Sequence, residues 1–122
     1  RYQILRTIGE GGSGFVYIVK DNETDQGLAM KKIYPKTDKE RNAILNEIAL
    51  MRLSDNQHII RYYESYDYDG HFWIIVELMK ASLTDLVLDR FSTIPESFIA
   101  HMVQQILIGL EHVHSNHRIH RD

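Results

Sequence analysis

The stretch TIGEGGSGFVY, Thr7 to Tyr17, places Gly9, Gly11, Gly12 and Gly14 within six positions and then returns at once to bulky β-forming residues. Apolar and polar residues roughly alternate from Tyr2 to Ile8 and from Phe15 to Lys20, so the glycines join two strands as a hairpin. A glycine-rich hairpin loop lets backbone N–H groups approach an anion, because no side chain holds the anion away; a plain tight turn uses the same residues. Gly9, Gly11 and Gly14 satisfy G-x-G-x-x-G, a weak pattern by itself. A dinucleotide fingerprint needs a helix directly after the glycines, whereas FVYIVK continues as a strand. No G-K-[ST] follows, which also excludes the Walker phosphate loop.

The remaining pattern extends the sheet. Polar turn chemistry in DNETDQG (Asp21 to Gly27) leads to a third strand, Leu28 to Tyr34, which Pro35 ends. Asp38 is placed to cap a helix between about Lys39 and Leu53, on which Ile44, Ile48 and Met51 recur at helical spacing. IIRYYESY and HFWIIVEL flank the turn DYDG as a second hairpin, giving five strands. SLTDLVLDRF reads as a short helix, and Pro95 opens a longer one whose Ile99, Met102, Val103, Ile106, Leu110 and Val113 form an apolar stripe. The order predicts an α+β fold, a sheet-rich part followed by a helical part.

Composition narrows the partners. The 17 acidic and 14 basic residues give a net charge of −3 with no basic block, so a nucleic-acid partner has no electrostatic footprint. The chain has no cysteine, which excludes a disulfide framework and fits a reducing, cytoplasmic setting. FWIIVELM is too short and too charged for a membrane span, and no stretch of this sequence reads as a signal peptide. The chain begins at Arg1 and stops directly after a long periodic segment, so both ends read as cut.

Lys31, in LAMK on the third strand, either projects its ammonium toward an anion under the glycine loop or is simply solvated, as Lys32 beside it should be. Glu47 falls close to the Ile44, Ile48 and Met51 stripe; a carboxylate buried there needs a partner, for which Lys31 is the obvious candidate, while one at the edge of the stripe reaches water. His112, His114, His117 and His120 are closely spaced, but neither cysteine nor an ordered carboxylate set joins them, so no metal site is assigned. Tyr62, Tyr63, Tyr66 and Tyr68 read as cross-strand packing rather than a base-stacking surface.

The chain closes on His120, Arg121 and Asp122, completing an ordered set: glycine loop, strand-three lysine, helical glutamate, then H-R-D. The set resembles the protein kinase family across the entire chain, and LNEIALMR, IIRYYESY, SLTDLV and HVHSNHRIHRD look like the PAK branch of the sterile-20-like serine/threonine kinases. The resemblance implies an amino-terminal lobe with hinge over residues 1–79 and the start of a helical lobe over 80–122. It also implies that Gly9, Gly11, Gly12 and Gly14 cover the phosphates of ATP, that Lys31 contacts the α- and β-phosphates, and that Glu47 holds Lys31 in place. Ile8, Val16 and Ala29 would roof the adenine, with Val76 as gatekeeper and the backbone of Glu77 and Met79 offering hydrogen bonds in the hinge. Asp122 would be the catalytic base and Arg121 would pair with a phosphorylated activation loop; an upstream regulator, a protein substrate and regulation by phosphorylation are implied with them. His120 would pack in the core.

The hinge ELMKASL is one residue shorter than the PAK-like pattern, and Val76 is smaller than the methionine usual at its position. No catalytic-loop asparagine and no D-F-G follow Asp122, so the Mg²⁺ ligands lie beyond this sequence. The expectation is therefore a fragment of an ATP-dependent serine/threonine kinase that does not turn over by itself. The competing expectation is a non-catalytic, pseudokinase-like module for nucleotide binding or protein interaction.

Overall fold

The computed structural model describes residues 1–12, 14–90 and 94–120. The chain divides into two compact units, residues 1–55 with 60–78, and residues 56–59 with 79–122.

The first unit contains β1 (Tyr2–Gly11), β2 (Gly14–Asp21), β3 (Gly27–Ile33), α1 (Asp38–Arg52), β4 (Tyr62–Tyr68) and β5 (His71–Glu77). The strands form one antiparallel sheet in the order β1-β2-β3-β5-β4, the expected five strands with one helix. The first hairpin is tighter than the sequence suggests. Gly9 and Gly11 are strand residues, since pairing continues to Gly11 opposite Gly14. Between β4 and β5 the turn is confined to Asp69 (φ 52°) and Gly70 (φ 71°), two left-handed residues whose twist matches the flanking strands.

Helix α1 is capped by Thr37, not by Asp38. The Glu40 N–H donates to the Thr37 hydroxyl at 3.2 Å, and the Lys36 N–H donates to the Glu40 carboxylate at 2.7 Å. The sequence T-x-x-E thus makes a variant of the capping box, leaving Asp38 to favour the positive end of the helix dipole from the first turn.

The sheet is apolar on both faces. On one, Ile33, Phe72 and Ile74 pack with Ile44 and Ile48 of α1, and Met51, Tyr62 and Val76 close the edges. On the other, Val19, Leu28, Met30 and Ile75 are buried beneath half-buried Tyr2, Tyr17 and Trp73. This explains why β3 reads as an unbroken buried run, Leu28–Ala29–Met30: it is central and covered on both sides.

One buried carboxylate ties this unit's first residue to the β2–β3 turn. Asp21, 2 % exposed, accepts from the Arg1 guanidinium at 2.9 and 3.2 Å and from the Glu23 N–H at 3.0 Å. Arg1 also pairs with Glu23 and Glu64, and Tyr2 donates its hydroxyl proton to Glu64. The Arg1 hydrogen bond, with the Glu23 N–H behind it, holds the Asp21 carboxyl down at about 2.

The second unit contains α2 (Leu83–Arg90) and α3 (Glu96–Ser115). Ser82 and Asp85 cap α2 reciprocally: the Asp85 N–H donates to the Ser82 hydroxyl, and the Ser82 N–H donates to the Asp85 carboxylate, both at 3.0 Å. The Ser82 hydroxyl, which also donates to the Asp85 carboxylate at 2.6 Å, and after it the Ser82 N–H lower the Asp85 carboxyl from its ordinary value. Gly109 is buried in α3 because the 56–59 segment lies against it; an added Cβ would meet the His58 carbonyl oxygen at 3.0 Å. Helix α3 runs two residues past the expected Val113, to Ser115, with Asn116 as its C-cap and left-handed His117 (φ 57°) after it. Ile99, Val103 and Ile106 of its apolar stripe are exposed. No helix among the described residues is long and apolar enough to cross a membrane.

Because folding depresses the Asp21 carboxyl, its contribution to stability is complete above the unfolded value near 4 and is lost as pH falls toward about 2. Urea midpoints measured from pH 6 to pH 2 should therefore fall less steeply for Asp21→Asn than for the unaltered chain. Parallel slopes would show that the pair contributes nothing.

Candidate functional site

Strand register brings four of the expected site residues of the first unit together. Val16 lies opposite Lys31, Lys31 opposite Ile74, and Ala29 opposite Val76. Alternation along β3 puts Ala29, Lys31 and Ile33 on one face, and Ile33 and Ile74 mark that face as the one α1 covers. Val16, Ala29, Lys31 and Val76 are therefore neighbours on the α1 side of the sheet. Ala29 is buried, Val16 and Val76 are half-buried, and Lys31 is exposed: an apolar floor with one ammonium group at its margin. Lys32 points the other way, its ammonium 4.7 Å from the centre of the Trp73 ring.

The glycines have separate roles. Gly14 has φ 151°, and an added Cβ would stand 1.9 Å from the Lys32 carbonyl oxygen, so close approach of β2 to β3 demands glycine there with or without a ligand. At Gly9 a Cβ would make ordinary contact, 3.5 Å from Val16. At Gly11 and Gly12 it would meet nothing within 4 Å, and this open backbone is what an approaching phosphate requires. Ile8 sits at a β-bulge between the Thr7 and Gly9 pairs and is exposed. Glu77 ends β5 with its N–H engaged by the Arg61 carbonyl at 2.9 Å. Met79 belongs to the second unit and is exposed. Arg121 and Asp122 lie outside the described residues.

The expected Lys31–Glu47 ion pair is not formed; both side chains are exposed, and Glu47 reaches water from the edge of the α1 stripe. The reason is the roll of α1. Glu47 is set about 60° round the helix from Ile44, on the side away from Ile48. The face turned to the sheet is centred between Ile44 and Ile48, with half-buried Met51 on one side and half-buried Arg41 on the other; exposed Arg52 lies just beyond Arg41, and sequence reasoning singled out neither arginine. Arg41 pairs with Asp67 and lies 5.0 Å from the centre of the Phe72 ring; the Arg52 Nε–H donates to the Tyr62 hydroxyl at 3.2 Å. Their spacing of three turns, in line with Ile48, was the available signal.

Among the described residues no group of three or more His, Cys, Asp or Glu side chains is placed to hold a metal ion. His112 turns its Nε2 into the protein with no partner among the described residues. Of the tyrosines, Tyr62 packs against the α1-side core and Tyr66 meets Tyr2 edge to face at 6.5 Å, while Tyr68 is exposed.

The family model for the protein kinase domain matches residues 2–122. The chain belongs to the protein kinase family. It is similar to the serine/threonine-protein kinase pakA of Dictyostelium discoideum, with 37 % identity over 123 aligned residues that take in 99 % of this chain and 10 % of pakA. The chain thus spans about a tenth of the length of that relative.

The separation of glycine roles is measurable. Gly14→Ala should cost about 2 kcal/mol or more in urea unfolding, because the β2–β3 backbones must part, whereas Gly11→Ala should stay within about 0.5 kcal/mol. Equal losses would show that the hairpin does not hold Gly14 against Lys32.

Proposed function

We propose that this chain supplies the nucleotide-binding part of a serine/threonine kinase of the PAK type, which transfers the γ-phosphoryl group of ATP to protein hydroxyls. Kinases of this family use ATP with Mg²⁺ and act on protein substrates. The observation that carries the reading is the shared sheet face on which Val16, Ala29 and Val76 surround Lys31, with open glycine backbone at the nearby hairpin.

The residues suit the parts of a nucleotide. Ala29, Val16 and Val76 offer an apolar surface for adenine, with Ile8 near its margin; by the family resemblance the backbone of Glu77 and Met79 would supply hydrogen bonds to the base. Lys31 supplies a point charge for the α- and β-phosphates, and the small side of Gly11 and Gly12 lets N–H groups approach them. Glu47 would orient Lys31 when α1 brings the two together. Asp122 takes the proton of the substrate hydroxyl and Arg121 answers a phosphorylated activation segment. Mg²⁺, when bound, neutralises charge on the phosphates; the described residues provide no ligand set for it, so what they contribute is binding and orientation of the nucleotide.

A fluorescent ATP analogue titrated against the chain tests this. Lys31→Ala should weaken binding by roughly ten-fold, the loss expected for one charged hydrogen-bond donor, while Lys32→Ala should leave it within about two-fold because that side chain is on the opposite face. No binding by the unaltered chain, or equal losses for the two lysines, would overturn the proposal.

A further inference from the structure

Strands β1 and β4 are the two edges of the sheet, with β2, β3 and β5 between them. In a flat sheet four spacings would set them about 19 Å apart, more than a tyrosine and a glutamate side chain reach end to end. Yet the Tyr2 hydroxyl donates to the Glu64 carboxylate, the Tyr2 ring meets Tyr66 edge to face at 6.5 Å, and the Arg1 guanidinium reaches Glu64 at 3.1 Å. Such contacts close only when the sheet coils and brings its edges together. They close over the face away from α1: Glu64 lies opposite Ile75 and Tyr66 opposite Trp73, and Tyr2 packs on the cluster of Val19, Leu28, Met30 and Ile75.

The contacts are partly shielded from water. Side-chain exposure is 37 % at Arg1, 30 % at Glu64 and 3 % at Asp21, the second carboxylate that Arg1 holds. Burial and, after it, the bond to Glu64 raise the Tyr2 hydroxyl from its ordinary value, so the proton stays on the tyrosine.

Strand β1 has little else to hold it. It pairs only with β2, eight of its ten residues are exposed, and bulges at Leu5 and Ile8 interrupt its ladder. Among the described residues Tyr2 is the one member of β1 that joins either apolar cluster. The same strand carries Ile8, Gly9 and Gly11 to the candidate site, and Gly11 stands about 30 Å from Tyr2 along it.

We infer that Arg1 and Tyr2 are positioning residues: bridged to Glu64 and Tyr66, they clasp the two edges of the sheet together and fix the base of the strand that carries the glycines. Released there, β1 peels from β2 and the glycine backbone loses its place beside Val16 and Lys31. This rests on the nucleotide-site reading, but part of its test does not.

Glu64 suits the test because it faces away from Lys31, so its removal touches no nucleotide. In Glu64→Ala, amide hydrogen exchange followed by NMR should quicken roughly ten-fold from Gln3 to Thr7, while Met30 and Ile75 at the centre of the sheet keep their rates. Tyr2→Phe should act in the same direction and add little to Glu64→Ala, since both remove one contact. Glu64→Ala should also bind the fluorescent ATP analogue about three-fold more weakly. Tyr68→Ala, an exposed change on the same strand, should alter neither reading. Unchanged β1 exchange in Glu64→Ala, or an equal rise at Met30 and Ile75, would overturn the inference whether or not nucleotide binds. Faster β1 exchange with full affinity for the analogue would overturn it too. Failure of the unaltered chain to bind the analogue would sink the nucleotide-site reading alone, leaving hydrogen exchange to decide the clasp.

Discussion

The antiparallel register linking β2, β3 and β5 is the constraint on which the site depends. Pairing Val16 with Lys31 and Ala29 with Val76 fixes which side chains share a face, and a slip of one residue would exchange Lys31 for Lys32. The register is secured from both sides of the sheet. Ile33, Phe72 and Ile74 need the cover of α1, while Val19, Leu28, Met30 and Ile75 fill the opposite face, so a slip would strand both apolar sets. Gly14 adds a local lock, since only a residue without a Cβ permits β2 to approach the Lys32 carbonyl as it does.

Ile44 and Ile48 hold α1 to that sheet, and its polar contacts with β4 are partly solvent-exposed and individually weak in water. The missing Lys31–Glu47 contact is a property of helix roll, not of strand placement.

Much of this was legible in the sequence where period and spacing report burial. The five strands and α1 follow from alternation and from the Ile44–Ile48–Met51 stripe, and the family follows from the ordered glycines, Lys31, Glu47 and H-R-D. Elsewhere several patterns were physically equivalent. Thr37 and Asp38 are both good caps, and the Glu40 N–H, donating to the Thr37 hydroxyl, distinguishes them. G-x-G-x-x-G looks like one phosphate motif, yet Gly14 answers to Lys32 while Gly11 and Gly12 face open space. For Glu47 the deciding quantity was the roll of α1, which leaves it outside the arc that Ile44 and Ile48 bury, and a stripe of three apolar residues does not fix that roll to within a few tens of degrees. The Arg1–Asp21 pair escaped notice for the same reason, spanning the length of the β1–β2 hairpin.

The most direct measurement is a backbone and methyl NMR titration with a non-hydrolysable ATP analogue. Shifts should concentrate at Gly11, Gly12, Val16, Ala29, Lys31 and Val76, and should spare Val19, Met30, Trp73 and Ile75 on the far side of the same strands. Shifts on that far side, or none on the Lys31 side at saturating analogue, would contradict the assignment of this sheet face as the nucleotide site.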